Sequence, residues 1–372
     1  MTAPRRCYIH IGLQNTRTSF LQSILWQSTD QLREQGFELL PGTRAGAYHL
    51  MLAVREALRE GIDPPKAFTV LDRLPNQVMK VSTPHALITQ ESLAPATPTQ
   101  ARTLVECLDG FEVHVVVTVR DLARQIPSAW QQRMKARKVY PYERFRDAVV
   151  EHKPLANDFW SNQDLPEVLA RWGNVVPADR IHVVTVPPPR SQTTVLLDRF
   201  CSVLRLDPAR LDTDSASRNG PASRNGSLGV AQAELLRRVN IALADRLPHP
   251  RQGYAAMGEL FLAGEILAPQ RGLSVKLPSD MADWCIDIAQ AWVVTVAEGG
   301  YDVVGDLDEL VPDRSAFTDS DPDVADEDVL DSAAEALATI LDLRSRETAE
   351  LAELRERLET QEEELRALRQ GR

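Results

Sequence analysis

Short runs of β-branched and other apolar residues recur along the first half of the chain, and helical spacing follows most of them. The runs within 7–13, 85–93, 111–119 and 180–186 have the near-continuous apolar character of strands buried on both faces of a parallel sheet. Strands that alternate with helices imply right-handed crossovers between parallel neighbours. The predicted fold class is therefore α/β, a parallel sheet flanked by helices.

Amphipathic helices are predicted directly after the first run and again at 49–61. After the first run, one helical stripe carries the apolar residues Phe20, Leu21, Ile24, Leu25 and Leu32 before the chain reaches Gly36, and 49–61 is a second amphipathic segment that also ends at a glycine. Glycine is frequent just past a helix end, so both helices are expected to stop there. Residues 230–304 are predicted to be mostly helical.

Composition divides the chain into three parts. Residues 1–311 carry the strand and helix pattern and are predicted to form one α/β domain, whereas Pro, Asp and Ser at 312–328 indicate an acidic linker. Within 329–372, leucine occupies five of six successive positions of a heptad pattern: Leu351, Leu354, Leu358, Gln361, Leu365, Leu368. This spacing predicts either a single amphipathic helix or a coiled coil that pairs two copies into a homo-oligomer.

The formal net charge of −11 is concentrated at the C-terminal end. Residues 319–372 hold 17 acidic and 7 basic residues, whereas the rest of the chain holds 36 acidic and 35 basic ones. An acidic tail would repel phosphate backbones, so a general nucleic-acid partner is not expected. Positive charge is carried by 36 arginines and only six lysines.

The remaining composition favours a cytoplasmic protein. No apolar run approaches the length of about 18 residues that a membrane span needs, and the strand pattern begins too early to expect a secretory leader. Cys7, Cys107, Cys201 and Cys285 lack metal-ligand spacing, which indicates reduced thiols and no metal site.

The turn after the first strand is a candidate anion site. It reads IGLQNTRTS, with Gly12 ending the strand and a helix opening in residues rich in hydroxyls. The first N–H groups of a helix point at one spot, and the helix dipole adds partial positive charge there. Thr16, Thr18 and Ser19 add hydroxyl donors. A Walker A motif would have Gly-Lys at positions 17 and 18, where this chain has Arg17 and Thr18. The turn is therefore either an altered anion cradle or a plain strand-to-helix corner.

A second candidate site follows the next strand-to-helix unit, VVVTVRDLARQIPS. Arg120 leaves the strand and Ser128 stands eight residues later on the predicted helix, so both can hold one phosphate. The structural alternative is that Arg120 caps the sheet edge or pairs with Asp121. Two anion sites at neighbouring strand ends favour a ligand that carries two separate phosphate-type groups.

At both places the chain resembles the bacterial sulfotransferases that use 3′-phosphoadenosine 5′-phosphosulfate. HIGLQNTRTSFLQ is similar to their 5′-phosphosulfate loop, usually written H-I-G-x-x-K-T-G-T-T-x-L-Q, and VVVTVRDLARQIPSAWQQ resembles their 3′-phosphate-binding strand and helix. LITQESL, LARWGNVVPADRIHVVTV, LLDRFCSVLRLD and NGSLGVAQAELLRRVN also resemble family segments, and the likeness runs in the expected order from residue 7 to about 240.

The resemblance implies a P-loop-like sulfotransferase architecture with a helical or coiled-coil tail. It implies transfer of the sulfuryl group from the bound nucleotide to a hydroxyl or amine of a small molecule or glycan, without a metal. The residues implied to bind the nucleotide are Gly12, Gln14, Asn15, Thr16, Arg17, Thr18, Ser19, Arg120, Ser128 and Arg224.

Two substitutions in the loop open an alternative. Asn15 stands where the family has lysine and Arg17 where it has glycine, and loss of one stabilising donor costs roughly 10²–10³ in rate. In one alternative, Arg17 supplies the missing charge, and its backbone is strained unless it is helical. In the other, the protein is an impaired nucleotide-binding relative that acts as a partner or regulator through its tail. A small-molecule kinase is a third alternative; it would require magnesium and a lysine that the loop lacks.

Two residues are candidates for the base that removes the acceptor's proton. Glu91 ends the predicted strand LITQE, and His49 opens the second predicted helix with an ordinary pKa suited to proton removal near neutral pH. Each also has a structural interpretation: Glu91 as a cap of the next helix, and His49 as a residue packed on the sheet. The acceptor pocket is expected to come from 40–80, 135–170 and 240–300.

Overall fold

The computed structural model describes residues 4–189, 191–192, 194–213, 227–244, 246–247, 250–270, 272–319 and 324–370. Its centre is a six-stranded, all-parallel sheet in the order β2-β3-β1-β4-β5-β6. The strands are β1 Arg6–His10, β2 Phe37–Leu39, β3 His85–Thr89, β4 Glu112–Val119, β5 Ile181–Thr185 and β6 Asp302–Val304. The predicted α/β class is confirmed, and four of these strands lie in the predicted runs.

Helices cover the sheet and continue beyond it. They are α1 Thr18–Gln27, α2 Thr29–Glu34, α3 Arg44–Val54, α4 Val70–Val78, α5 Pro98–Glu106, α6 Leu122–Lys135, α7 Tyr142–Val150, α8 Asn157–Gln163, α9 Leu165–Gly173, α10 Val195–Leu204, α11 Val230–Leu243, α12 Ala282–Glu298 and α13 Asp326–Gln370. A π-helix occupies Pro250–Leu267, and short 3₁₀ turns, including Glu91–Leu93, join several elements. Within 230–304, the described residues form α11, the π-helix and α12, followed by β6.

Two predicted helices have different bounds. The first is interrupted at Ser28, whose hydroxyl accepts a hydrogen bond from the Asp212 backbone at 2.8 Å, and α2 then ends at Glu34. The second begins five residues earlier than predicted, since Thr43 caps its first turn by accepting from the Gly46 N–H. It ends at Val54, well before the predicted glycine stop.

The core lies on both faces of the sheet. Val113, Val115, Val117 and Val119 of β4 are buried in the larger cluster, whereas Val116 is buried in the second cluster on the opposite face. Burial of alternate residues on the two faces is the environment that a continuous β-branched run favours in a central parallel strand.

The order of the strands creates a crevice between β1 and β4. The chain leaves β1 toward β2 and β3 on one side, and it leaves β4 toward β5 and β6 on the other. Ligands of open α/β sheets bind at such a switch point, outside the carboxyl ends of the strands. The N–H of Leu13 donates to the Thr118 carbonyl at 2.7 Å, so the turn after β1 lies directly beside the end of β4.

The C-terminal helix α13 is 45 residues long and begins at Asp326, inside the predicted linker. Its first half packs against α11 and the π-helix, where Val329, Ser332 and Ala336 are buried. From residue 344 onward the described side chains of α13 are exposed. No helix in the described ranges is long and apolar enough to span a membrane.

Candidate functional site

A cleft of about 1100 Å³ opens at the carboxyl ends of β1, β3 and β4. Its wall brings together side chains from the turn after β1, α1, α3, the 3₁₀ turn after β3, α6 and the π-helix. Most of the residues predicted from the sequence line it: Gln14, Asn15, Arg17, Thr18, Ser19, Glu91, Arg120 and Ser128. The two predicted anion sites therefore face one space.

Gly12 allows the turn to pass close to β4. Its φ is +38°, and a Cβ on this residue would lie 2.6 Å from Thr18 Cγ2 and 2.9 Å from Thr118 Oγ1. Both the positive φ and the close approach exclude a side chain. Gly12 does not itself line the cleft; it shapes the backbone that does.

A row of buried polar side chains fixes the floor under the turn. Thr16 Oγ1 donates to the Leu13 carbonyl at 2.6 Å and is 2.7 Å from Thr118 Oγ1. His10, at the end of β1, lies 2.9 Å from Thr89 Oγ1 and 3.4 Å from Thr118 Oγ1 through its two ring nitrogens. Burial lowers the pKa of His10 to about 3, so its ring is neutral. Thr16 is fully buried and thus supports the turn from below.

The turn presents a concave row of free N–H groups. Asn15 and Arg17 have φ values of +64° and +59°, whereas Thr16 between them is not left-handed. Such alternation of backbone handedness makes the anion-binding concavities known as nests. In the described structure, the N–H groups of residues 14, 15 and 17–19 donate to no protein acceptor, whereas the N–H of Thr16 closes a turn toward the Leu13 carbonyl. The free N–H groups are available to an anion at the N-terminus of the ten-residue helix α1.

Arg17 occupies the glycine position of the motif in a left-handed conformation, with φ 59° and ψ 21°. The helical alternative that would avoid strain is therefore wrong, because Arg17 is the N-cap residue of α1. A left-handed non-glycine residue costs about 1–2 kcal/mol. Its exposed side chain lines the cleft, and its charge helps to lower the pKa of Arg120.

Among the described residues, no carboxylate forms an ion pair with the guanidinium of Arg120. Its Nε donates to Gln125 Oε1 at 3.0 Å and its Nη2 donates to the Arg124 carbonyl at 3.2 Å. The alternative that Arg120 forms an ion pair with Asp121 does not hold, since Asp121 instead bonds the backbone N–H and the guanidinium of Arg124. Burial lowers the pKa of Arg120 to about 10. A desolvated guanidinium that faces a cleft is stabilised by a bound anion.

Gln125 joins the two anion sites. Its Oε1 accepts from Arg120, while its Nε2 donates to the Gln14 carbonyl and to Gln163 Oε1, the latter at 2.9 Å. Gln163 from α8 also donates to the Gln14 carbonyl, at 3.1 Å. Gln125 is 1% exposed, so this contact set is rigidly packed. Sequence reasoning missed it, because an isolated glutamine on a helix carries no motif.

Ser128 lines the cleft two turns into α6, as predicted, and Ser227 lies at its rim. The rim is held by Gln131, whose side-chain amide donates to the Leu228 carbonyl and accepts from its N–H, both at 2.9 Å. The predicted contact Arg224 lies outside the described residues.

Glu91 lies in the cleft just after the end of β3, and its carboxyl group has a raised pKa. Burial raises the pKa of its carboxyl group, while a hydrogen bond from the Gln22 side chain and the nearby charge of Arg44 act in the opposite direction. A raised pKa brings a carboxylate closer to the range in which it accepts a proton from a hydroxyl.

His49 does not line the cleft. It lies on the second turn of α3, half-buried, and burial together with the charge of Lys66 lowers its pKa. Tyr48 beside it does line the cleft. The structure therefore brings only Glu91 of the two candidate bases to the predicted site.

Several further residues of the cleft were not predicted. Phe20, Trp26 and Tyr48 provide aromatic surface from α1 and α3. Among the described residues, the charged side chains of the cleft are four basic and two acidic ones: Arg17, Arg44, Arg120, Lys135, Glu91 and Glu259. The excess of positive charge suits an anionic ligand.

Within the described ranges, no cluster of His, Cys, Asp or Glu side chains is arranged to hold a metal ion. No family model, curated protein or solved structure matches this chain. The geometry of the cleft therefore carries the functional assignment.

Proposed function

We propose that this protein is a P-loop-like sulfotransferase that binds 3′-phosphoadenosine 5′-phosphosulfate and passes the sulfuryl group to a hydroxyl or amine of a small molecule or glycan. The observation that carries the proposal is the pairing of Arg120, desolvated and without a carboxylate partner among the described residues, with the free N–H groups of residues 14, 15 and 17–19. Both face one cleft at the switch point of the sheet.

The two anion sites bind opposite ends of the nucleotide. The free N–H groups and the positive end of the α1 dipole bind the 5′-phosphosulfate. Arg120 and Ser128 bind the 3′-phosphate, the group that distinguishes this nucleotide from adenosine 5′-phosphosulfate. Ligand pockets usually measure about 300–1,000 Å³, so the cleft of about 1100 Å³ has room for the nucleotide and part of an acceptor.

The reaction needs little covalent chemistry from the side chains of the protein. The S–O bond to the 5′-phosphate breaks as the acceptor oxygen or nitrogen attacks sulfur in line, so catalysis consists of positioning and charge stabilisation. Glu91 takes the proton of the acceptor. The N–H groups stabilise the phosphate that leaves, and Arg17 supplies the charge that a loop lysine would provide.

A second function has its own supporting observation. Asn15 replaces the loop lysine, and Arg17 reaches the cleft only from a strained backbone. In this alternative the protein binds the nucleotide but transfers sulfate poorly, and it acts as a partner or regulator through α13.

Nucleotide binding tests both versions. Adenosine 3′,5′-bisphosphate should raise the unfolding temperature more than 5′-AMP does, because only the bisphosphate carries the 3′-phosphate that Arg120 and Ser128 bind. A ligand at 100 times its Kd adds about 2.7 kcal/mol to the free energy of unfolding. Arg120→Gln should remove that preference, whereas Arg133→Gln, on the same helix but paired with Asp158 outside the cleft, should keep it. Equal stabilisation by the two nucleotides would overturn the proposal.

Transfer from a radiolabelled donor then separates the alternatives. Activity of the wild-type protein supports Arg17 as the charge donor, and activity only in Asn15→Lys/Arg17→Gly supports the impaired relative. Phosphate transfer from ATP that requires magnesium, with no sulfate transfer by either protein, would instead identify a kinase.

A further inference from the structure

The outer half of α13 leaves an apolar surface uncovered. Residues 344–370 extend about 40 Å, at 1.5 Å per residue, beyond the part of the helix that packs on the body. Leu351, Leu354, Leu358 and Leu365 are between 47% and 58% exposed there. Leucine is a good helix former at any position, so helix propensity does not account for its heptad spacing, which needs another explanation.

One set of exposed leucines on α13 keeps a single heptad phase from residue 330 to residue 365. With Leu351 assigned as position a, the other a positions with leucine are Leu330, Leu337, Leu358 and Leu365. All five are between 48% and 68% exposed. Arg344 is the one polar residue at position a between 330 and 365, and a single polar a position commonly fixes the register of paired helices. We call this surface the leucine seam.

The leucine seam does not face the body of the protein. The body is contacted through Val329, Ser332 and Ala336, which are 3–5% exposed. The seam leucines Leu330 and Leu337 are therefore exposed even where α13 lies against α11. A different molecule is needed to cover them.

The charges beside the seam are complementary to a second copy in parallel orientation. In a parallel two-stranded coiled coil, each g position meets the e position five residues later on the partner helix. Here Glu350 meets Arg355 and Arg357 meets Glu362. Both pairs are of opposite sign, and two-fold symmetry repeats them, which gives four favourable contacts.

We infer that α13 pairs with α13 of a second copy as a parallel, two-stranded coiled coil centred on residues 351–368. The pairing covers the leucine seam and places one cleft on each side of the two-fold axis. It is independent of the reaction proposed above, since no residue of the seam lines the cleft.

Light scattering of the full chain tests the pairing. The wild-type protein should have twice the 41.5 kDa mass of one chain. Leu351→Asp/Leu358→Asp should be monomeric with an unchanged unfolding temperature of the body. Ala349→Asp/Ala352→Asp adds the same charges at outer heptad positions and should stay dimeric. A monomeric wild-type protein, or a dimer that survives in the leucine variant, would overturn the inference.

Cross-linking tests the orientation. In a Cys107→Ser background, which removes the partly exposed native thiol, Leu358→Cys should form a disulfide-linked dimer under mild oxidation. The outer control Glu356→Cys should not. In an antiparallel pair, residue 358 would face residue 361 instead, so a link that forms only when Leu358→Cys and Gln361→Cys chains are mixed would disprove the parallel arrangement.

Charge reversal tests the flanking contacts. Arg355→Glu/Arg357→Glu makes the 350–355′ and 357–362′ pairs repulsive in a homodimer, as does Glu350→Arg/Glu362→Arg. Each variant alone should dimerise more weakly than the wild type, and mixing the two should give heterodimers. Equal dimerisation of each variant alone and of the mixture would show that these charges do not set the pairing.

Discussion

At the scale of single residues, the site depends on one residue that the sequence alone identifies and on another that only the structure identifies. Gly12 could be identified from the sequence, since a glycine between a strand and a helix signals a tight backbone. Gln125 could not, because its importance comes from where Gln14, Arg120 and Gln163 lie around it in space. A motif records spacing along the chain, whereas a contact set of this kind spans α6, α8 and the turn.

Gly12→Ala should disrupt the cradle. The added Cβ meets Thr18 and Thr118 at under 3 Å, and the positive φ adds strain, so we expect a loss of about 1–3 kcal/mol in the free energy of unfolding. Binding of adenosine 3′,5′-bisphosphate should fall as well. Gly61→Ala is the matched control: its φ is +72°, but an added Cβ meets nothing within 4 Å. Urea unfolding and calorimetric titration of both variants check this, and equal losses would contradict it.

Gln125→Glu should weaken recognition of the 3′-phosphate. The new carboxylate would face the Arg120 guanidinium and compete with the ligand for it, and the donor to the Gln14 carbonyl would be lost. Because bonds to charged groups contribute about 1.5–3 kcal/mol, the preference for adenosine 3′,5′-bisphosphate over 5′-AMP should fall about tenfold or more. Ala136→Glu adds the same charge at an exposed position just past the end of the same helix, outside the cleft. A similar fall in that control would show a general charge effect.

At the scale of elements, the sequence predicts what local chemistry determines. The runs that became β1, β3, β4 and β5 were recognisable because several consecutive apolar residues are buried. β2 and β6 were missed, since three residues paired at a sheet edge leave no periodic signal. The start of α3 was missed for a similar reason: its signal is the single hydroxyl of Thr43, upstream of the apolar spacing.

That cap gives a prediction for α3, the helix that carries Arg44 and Tyr48 to the cleft. Thr43→Ala removes the acceptor of the Gly46 N–H and should cost about 1 kcal/mol of unfolding free energy. Thr43→Ser keeps the hydroxyl and should cost much less. Urea denaturation of the two variants measures the difference, and indistinguishable midpoints would mean that packing alone sets the start of α3.

At the scale of the whole molecule, stability should decrease in mild acid because buried histidines resist protonation. His10 has its pKa lowered to about 3 by burial, and the same cause lowers the pKa of His114. An unfolded histidine has a pKa of about 6.5, so below that pH the unfolded state binds more protons than the native state. The contribution of His10 is therefore fully present above pH 6.5 and is lost as the pH falls from 6.5 toward 3.

Between pH 7 and pH 5 this loss amounts to about 2 kcal/mol for His10, at 1.36 kcal/mol for each pH unit below 6.5. His10→Gln removes the titrating group but keeps an amide that can bond Thr89 and Thr118. The variant should be less stable than the wild type at pH 7, yet its further loss on going to pH 5 should be about 2 kcal/mol smaller. His152→Gln, which replaces an exposed histidine, should follow the wild-type curve. If His10→Gln and the wild-type protein lose the same stability over this interval in urea titrations, His10 is not held neutral, and the floor beneath the turn must be organised differently.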